Sequence, residues 1–342
     1  MKRYAIFKTI PGIGTVVVII FAVLLLTLLM LKGSSQGGFG EKTVQEGVTF
    51  LKKDLSGKVE EEVRLIIELA RPLLERDPVN AYIDPETKGV IPELLGYKID
   101  ATSSLERILE ASEGEEVYPL IKKISPDITI NDFPDAPLYQ GNPEKKKIAF
   151  LINVAWGDEY LEDMLEVLEA NQVSSTFFFV GKWMEKNSGM VQEIYRRGHE
   201  VANHGYRDTV LMSQLSLEEV KEDIIKTNLL IKDLTGEQAR YFSSHCGELN
   251  KDILEAAAEL GMRAVMWSLD TVDWKLPGEE NMAEKILTNS HPGATVLMHP
   301  TPQTPGALAL IIKGLKEQGY ELVNLTRLID PDYCKVLQGT GQ

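Results

Sequence analysis

The sequence predicts an α/β protein built on a parallel barrel or a doubly wound sheet, preceded by a small α+β module and one transmembrane helix. Three observations predict it. From Lys145 to about residue 330, short apolar runs alternate with segments of helical period, making about seven strand–helix units. Residues 41–140 lack that alternation and mix helical stretches with short extended pieces and turns. Ahead of both, Ile10 to Leu31 runs without a charge and is mostly Val, Ile and Leu.

The apolar run comes first. At a helical rise of about 1.5 Å per residue it crosses a hydrocarbon core of about 30 Å. Lys2, Arg3 and Lys8 precede it, which keeps residues 1–9 in the cytoplasm and sends the rest across. A cleaved secretory leader has a shorter apolar core and ends on small residues of the A-x-A type. The stretch LLMLKGSSQGG offers no such site, and no lipobox cysteine is present. The expectation is a single-pass anchor at residues 10–32 in the cell membrane, a flexible tether at 33–40 and an extracytoplasmic remainder.

In the module, Val44, Val48, Leu51 and Leu55, then Val63, Ile66, Leu69 and Leu73, recur at helical spacing. They predict one or two helices over 41–76, broken at Gly57 and stopped by Asp77-Pro78. ATSSLERILEASEG reads as a short helix capped by Ser103 or Ser104 and stopped at Gly114. ISPDITINDFP reads as a strand with proline at its edges. No titratable cluster marks a site in residues 79–140, so this part is expected to be a spacer or to dock a partner protein.

In the large domain, residues 145–330, strands are expected at 147–153, 174–180, 199–202, 239–242, 262–267, 294–298 and 320–323. Helices are expected at 158–171, 183–197, 216–234, 249–260, 281–289, 305–318 and 325–330, and residues 331–342 form a tail. LSLEEVKEDIIKTNLL shows the helical signal: a Ser216 cap, Glu219 three residues on, and an apolar stripe.

The composition narrows function by exclusion. A formal net charge of -15, with neither long basic tracts nor a basic aromatic stripe, argues against nucleic acid. Of the two cysteines, Cys246 and Cys334, the spacing allows either free thiols or a disulfide, and no CxxC metal site exists.

In a barrel, chemistry collects at the carboxyl ends of the strands. Those ends read Ala155-Trp156, then NHGYRD (203–208), SSHCGE (243–248), WSLDTVDW (267–274) and LMHP (297–300). Together with SSTFFFVGKW and RRGHEVANH, this series resembles the polysaccharide deacetylase family, the NodB homology domain, over about residues 145–330. The resemblance implies a distorted (β/α) barrel of about seven strands. AFLINVAWGDEYLEDML and the anchored N-terminus are more narrowly similar to a sporulation-associated branch of Gram-positive spore formers, which carries NVAWG itself.

In active relatives the resemblance implies a first motif with two aspartates, a base and a metal ligand; Ala155 and Trp156 stand in those places here. A pair of histidines four apart normally completes the metal site, and this chain has His204 and Asp208. The third motif, whose arginine orients the base and whose tyrosine amide steadies the oxyanion, reads Ser243 to Gly247. The fourth survives as Asp270-Thr271-Val272-Asp273-Trp274. The fifth survives with His299, the general acid in relatives.

Hydrolysis of an N-acetyl group needs a metal to polarise the carbonyl and acidify water, a base, and an acid for the leaving amine. The expected acid side is His299 with Asp270, which is taken to tune it, and Asp273. His204 and Asp208 leave two metal ligands where a zinc site uses three and a water, so a divalent metal of the zinc or cobalt type would bind weakly. Asp158, Glu159 or His245 are the groups that could substitute. Trp156, Tyr206, His245 and Trp274 are expected to line a groove for peptidoglycan or another N-acetylated glycan, because aromatic faces pack on apolar sugar faces. Two functions follow as expectations: a glycan-binding or scaffold protein of the envelope or spore with weak or lost N-deacetylase activity, or a working metal-dependent hydrolase with a rearranged site. A third places function in residues 41–140, docking a partner protein.

Overall fold

The computed structural model describes residues 42–333. The expected cytoplasmic N-terminus, the anchor at 10–32, the tether at 33–40 and Cys334 lie outside the described residues. Among the described residues, no helix is long and apolar enough to cross a membrane. The chain forms two compact units. One takes the described residues up to Asp77 and Tyr97–Ile124; the other takes Pro78–Gly96 and Ser125–Tyr333. The stretch 41–140, expected as one module, is therefore divided between them.

In the small unit the first expected helix is a β-hairpin. Thr49–Phe50 pairs antiparallel with Lys53–Asp54, and Leu51 and Lys52 between them take φ of 50° and 63°. Two left-handed residues in a two-residue loop suit the right-handed twist of a hairpin. Val44, Val48 and Leu55 are buried, so the helical spacing reported a core face correctly and its backbone wrongly. Thr49–Phe50 also pairs in parallel with Glu116–Val117. The second helix forms at Glu60–Leu74, with Glu60, Glu61 and Glu62 in its first turn, where the helix dipole favours anions. It ends three residues before Asp77. Helix Ala101–Glu110 packs beside it; its cap is Asp100, whose carboxylate accepts the Ser103 N–H, rather than Ser103 or Ser104. That helix ends at Ala111, ahead of Gly114. The expected strand ISPDITINDFP is mostly a loop: Ile121–Ile124 is extended, and a single 3-10 turn follows at Ile130–Asp132.

The large unit is built on eight parallel strands: β1 (Lys147–Val154), β2 (Thr176–Phe179), β3 (Glu200–Asn203), β4 (Tyr241–Phe242), β5 (Arg263–Ala264), β6 (Leu269–Asp270), β7 (Thr295–Met298) and β8 (Glu321–Val323). The sheet runs β5-β4-β3-β2-β1-β7-β6, and β8 joins the start of β1. Every residue of β1 is buried, as parallel strands covered on both faces require. Its period of two divides two cores. Ile148, Phe150, Ile152 and Val154 pack with the helices outside the sheet. Ala149 and Leu151 face inward with Phe178, Ala202 and Val265.

Two expectations are corrected here. Of the strand expected at 262–267 only β5 (Arg263–Ala264) forms, and β6 follows beyond it at Leu269–Asp270, because the chain between them changes partner. Val265 pairs with Leu138, and the Met266 N–H donates to the Leu138 carbonyl at 2.8 Å. Arg263 fastens that extra segment by donating to the carbonyls of Ile130, Phe133, Pro134 and Ala136. The helix expected at 183–197 is two helices, Gly181–Lys186 and Ser188–Arg196, broken at Asn187.

Candidate functional site

Because the strands are parallel, β1, β3, β4, β6 and β7 all deliver their carboxyl ends to one side of the sheet. The residues just past those ends surround a cleft of about 510 Å³. Ala155 and Trp156 follow β1 at its middle. Asp270, Trp274 and His299 come from β6, β7 and their loops on one wall; His204, Asp208 and His245 come from β3 and β4 on the other.

On the β6–β7 wall, His299 Nδ1 lies 2.9 Å from Asp273 Oδ1. Asp273 is fully buried; its Oδ2 accepts the His299 backbone N–H at 2.5 Å and the Thr304 hydroxyl at 3.2 Å. The partner of His299 is thus Asp273, not Asp270 as expected. Asp270 Oδ1 accepts the Val272 N–H at 2.8 Å and so holds its own turn, in which Val272 takes φ of 56°, a costly conformation for a β-branched residue. The indole of Trp156 stacks on His299 with ring centroids 5.9 Å apart and planes 9° apart. Gly157 makes that approach feasible: at φ 78° a Cβ there would lie 2.0 Å from the Pro300 carbonyl oxygen. The turn after β1 therefore rests directly on the loop that carries His299.

On the β3–β4 wall, His204 Nδ1 donates to the Ser243 carbonyl at 2.7 Å, since a carbonyl can only accept. The His245 ring meets His204 edge-on at 4.7 Å. Burial, and then the neighbouring His245, hold His204 well below the usual imidazole range. Burial lowers His245 too, against the opposing pull of Asp223 and Asp208. His245 Nε2 is buried without a hydrogen-bond partner.

These residues do not fit a catalytic divalent cation. A zinc site takes three protein ligands and a water. Among the described residues, no three His, Cys, Asp or Glu side chains are grouped to hold a metal ion. Asp158 and Glu159 do not supply the missing carboxylate, for they sit exposed on the 3-10 turn Asp158–Tyr160 beyond Gly157, off the cleft.

Tyr206, expected on the groove wall, is a further correction. Its hydroxyl donates to Glu185 at 3.0 Å, its N–H is held by Asp223 Oδ1 at 2.5 Å, and Lys226 Nζ lies 3.5 Å from its ring centroid. It does not line the cleft. His199 is structural: its Nδ1 accepts the Ser175 N–H at 3.2 Å, and burial lowers its pKa to about 4. Residues not foreseen in the cleft are Asn153, Trp267 and Cys246. Asn153 left a signal, as a polar residue in an apolar strand and in phase with the inward-facing Ala149 and Leu151. Trp267 and Cys246 stand in the strand-end segments 267–274 and 243–248, and Cys246 takes a left-handed φ of 54° there.

The polysaccharide deacetylase family model matches residues 140–265. The uncharacterized protein YlxY of Bacillus subtilis is 37% identical over 259 residues, covering 76% of this chain and 81% of its own. A peptidoglycan-N-acetylglucosamine deacetylase of Bacillus cereus is 31% identical over 192 residues, covering 55% of this chain and 70% of its own. Among solved structures, a CE4 family pseudoenzyme from Bacillus anthracis is 35% identical with a TM-score of 0.70, covering 79% of this chain and 95% of that one. A mutant of that pseudoenzyme with restored enzymatic activity superposes with a TM-score of 0.69 at 33% identity, covering 79% of this chain and 98% of that one.

Proposed function

The chain belongs to the polysaccharide deacetylase family, and from that premise we propose that it has lost N-deacetylation by the family's route and binds a cell-envelope glycan without cleaving it. One observation carries the reading. At the end of β1, where the family's first motif has a base and a metal carboxylate, stand a methyl group and an indole, and the indole is stacked on His299. Neither can take a proton from water or coordinate a metal ion. Loss of a positioned base alone costs about 10²–10⁴ in rate, and loss of the metal removes the group that would acidify the water. What persists is one half of the chemistry: His299, oriented by Asp273, can still hold a proton above the cleft.

The similarity to a CE4 pseudoenzyme supports this reading. The uncharged run at Ile10–Leu31 supports a single-pass anchor with the barrel on the outer face, in the envelope or on the spore. A hydrolase with a rearranged site is the second reading. The edge-on pair of His204 and His245 beside Asp208 favours it, as the cleft's remaining group of metal-binding side-chain types. One assay separates the two: acetate release from N-acetylated chitooligosaccharides and from peptidoglycan, with and without zinc or cobalt, run beside a binding titration. Binding without acetate is expected; metal-stimulated turnover by the unaltered chain would end the first reading.

A further inference from the structure

Among the described residues, neither lysine nor arginine lines the cleft. Its carboxylates are Asp208 and Asp270, and its flat surfaces are indoles. Trp156 and Trp274 are large and open, 45% and 55% exposed. Beside them His245, only 4% exposed, forms part of the cleft wall. Two cations stand close by, one of them on the Trp274 indole itself. Arg207 Nε lies 3.8 Å from Asp223 Oδ2, and Lys275 Nζ lies 4.6 Å from the Trp274 ring centroid.

That lining discriminates between two forms of one sugar. An N-acetylated hexosamine presents a neutral, bulky amide. Trp156 occupies the end of β1 and lies against His299, where a relative would work on that amide. The same hexosamine without its acetyl group presents a small ammonium. Carboxylates hold an ammonium through charge-assisted hydrogen bonds, and indole faces attract it.

Resting on the glycan-binding reading above, we propose that the cleft prefers de-N-acetylated glycan, an oligosaccharide of glucosamine type bearing free ammonium groups, over its N-acetylated form. The protein then recognises the product that its active relatives make. Asp270 and Asp208 select the charge, and Trp156 and Trp274 supply the platform.

The test is a calorimetric titration of the full chain with the glucosamine tetramer and with the N-acetylglucosamine tetramer, at low salt and at a pH where the free amine is protonated. The amine form should bind at least about tenfold more tightly, and added salt should erode that preference. In Asp270→Asn, and separately in Asp208→Asn, the preference should fall below about threefold; Asp208 is exposed, so its variant tests the charge without disturbing packing. Equal or tighter binding of the acetylated tetramer would overturn the preference and leave glycan binding intact. Binding of neither tetramer would overturn both. A preference that survives in both variants would overturn its assignment to these carboxylates.

Discussion

The two walls of the cleft have kept different amounts of their bonding. On the β6–β7 wall, Asp273 is buried beneath His299 with three hydrogen bonds directed at its oxygens. On the β3–β4 wall, Asp208 is exposed, His204 spends one nitrogen on a backbone carbonyl, and His245 has a nitrogen with no partner. The first wall is tied into the fold, so losing Asp273 would strand buried donors. The second wall rests more on packing, with His204 and His245 buried against each other edge-on.

The largest effect should come from rebuilding the missing side. Ala155→Asp with Trp156→Asp and Asp208→His should raise zinc- or cobalt-dependent acetate release at least about 10²-fold above the parent chain, measured on an N-acetylglucosamine oligosaccharide. No gain, with metal bound, would mean the β6–β7 wall is no longer competent. Stability contrasts follow. Gly157→Ala should cost about 3 kcal/mol or more in chemical denaturation, because it adds a Cβ 2.0 Å from a backbone oxygen at a left-handed φ. Asp273→Ala should cost about 3 kcal/mol, whereas Asp208→Ala should stay within about 0.5 kcal/mol; equal costs would abolish the contrast between the walls.

Acid should bear on the buried histidines. Burial depresses the folded-state pKa of His204, His245 and His199, the last from 6.5 to about 4. The unfolded chain then takes up protons first as pH falls. Stability is complete above about pH 6.5 and declines between there and pH 4, by about 3 kcal/mol from His199. His199→Asn should flatten part of that slope in denaturation curves taken across the range. The smallest effect on stability belongs to Trp156→Ala, under about 1 kcal/mol because the indole is half exposed. The same variant should weaken binding of the glucosamine tetramer at least about fivefold, since stacking of this kind is worth about 1 kcal/mol.

Much of the barrel was legible because parallel strands buried on both faces leave continuous apolar runs, as at 147–154. The small unit was less so. Val44, Val48 and Leu55 recur at intervals that suit a helix face, and a hairpin with a two-residue turn buries the same residues. The cleft was legible as a set of strand ends, which is why Trp156, His204, Asp208, His245, Asp270, Trp274 and His299 meet there. Tyr206 was misplaced because a residue two positions from His204 can turn outward, and Glu185 and Lys226, distant in sequence, hold it there.

The sequence by itself determined what the β1 end cannot do: alanine and tryptophan carry no ionisable oxygen in any conformation, so the missing base and carboxylate follow from covalent structure alone. Only the tertiary structure decided which of Asp270 and Asp273 serves His299. The two lie three residues apart on one turn, and the left-handed backbone at Val272 directs Asp270 to its own loop and Asp273 beneath the imidazole. Side-chain direction in a turn depends on local φ and on the strands packed around it, and neither is written in the order of the residues.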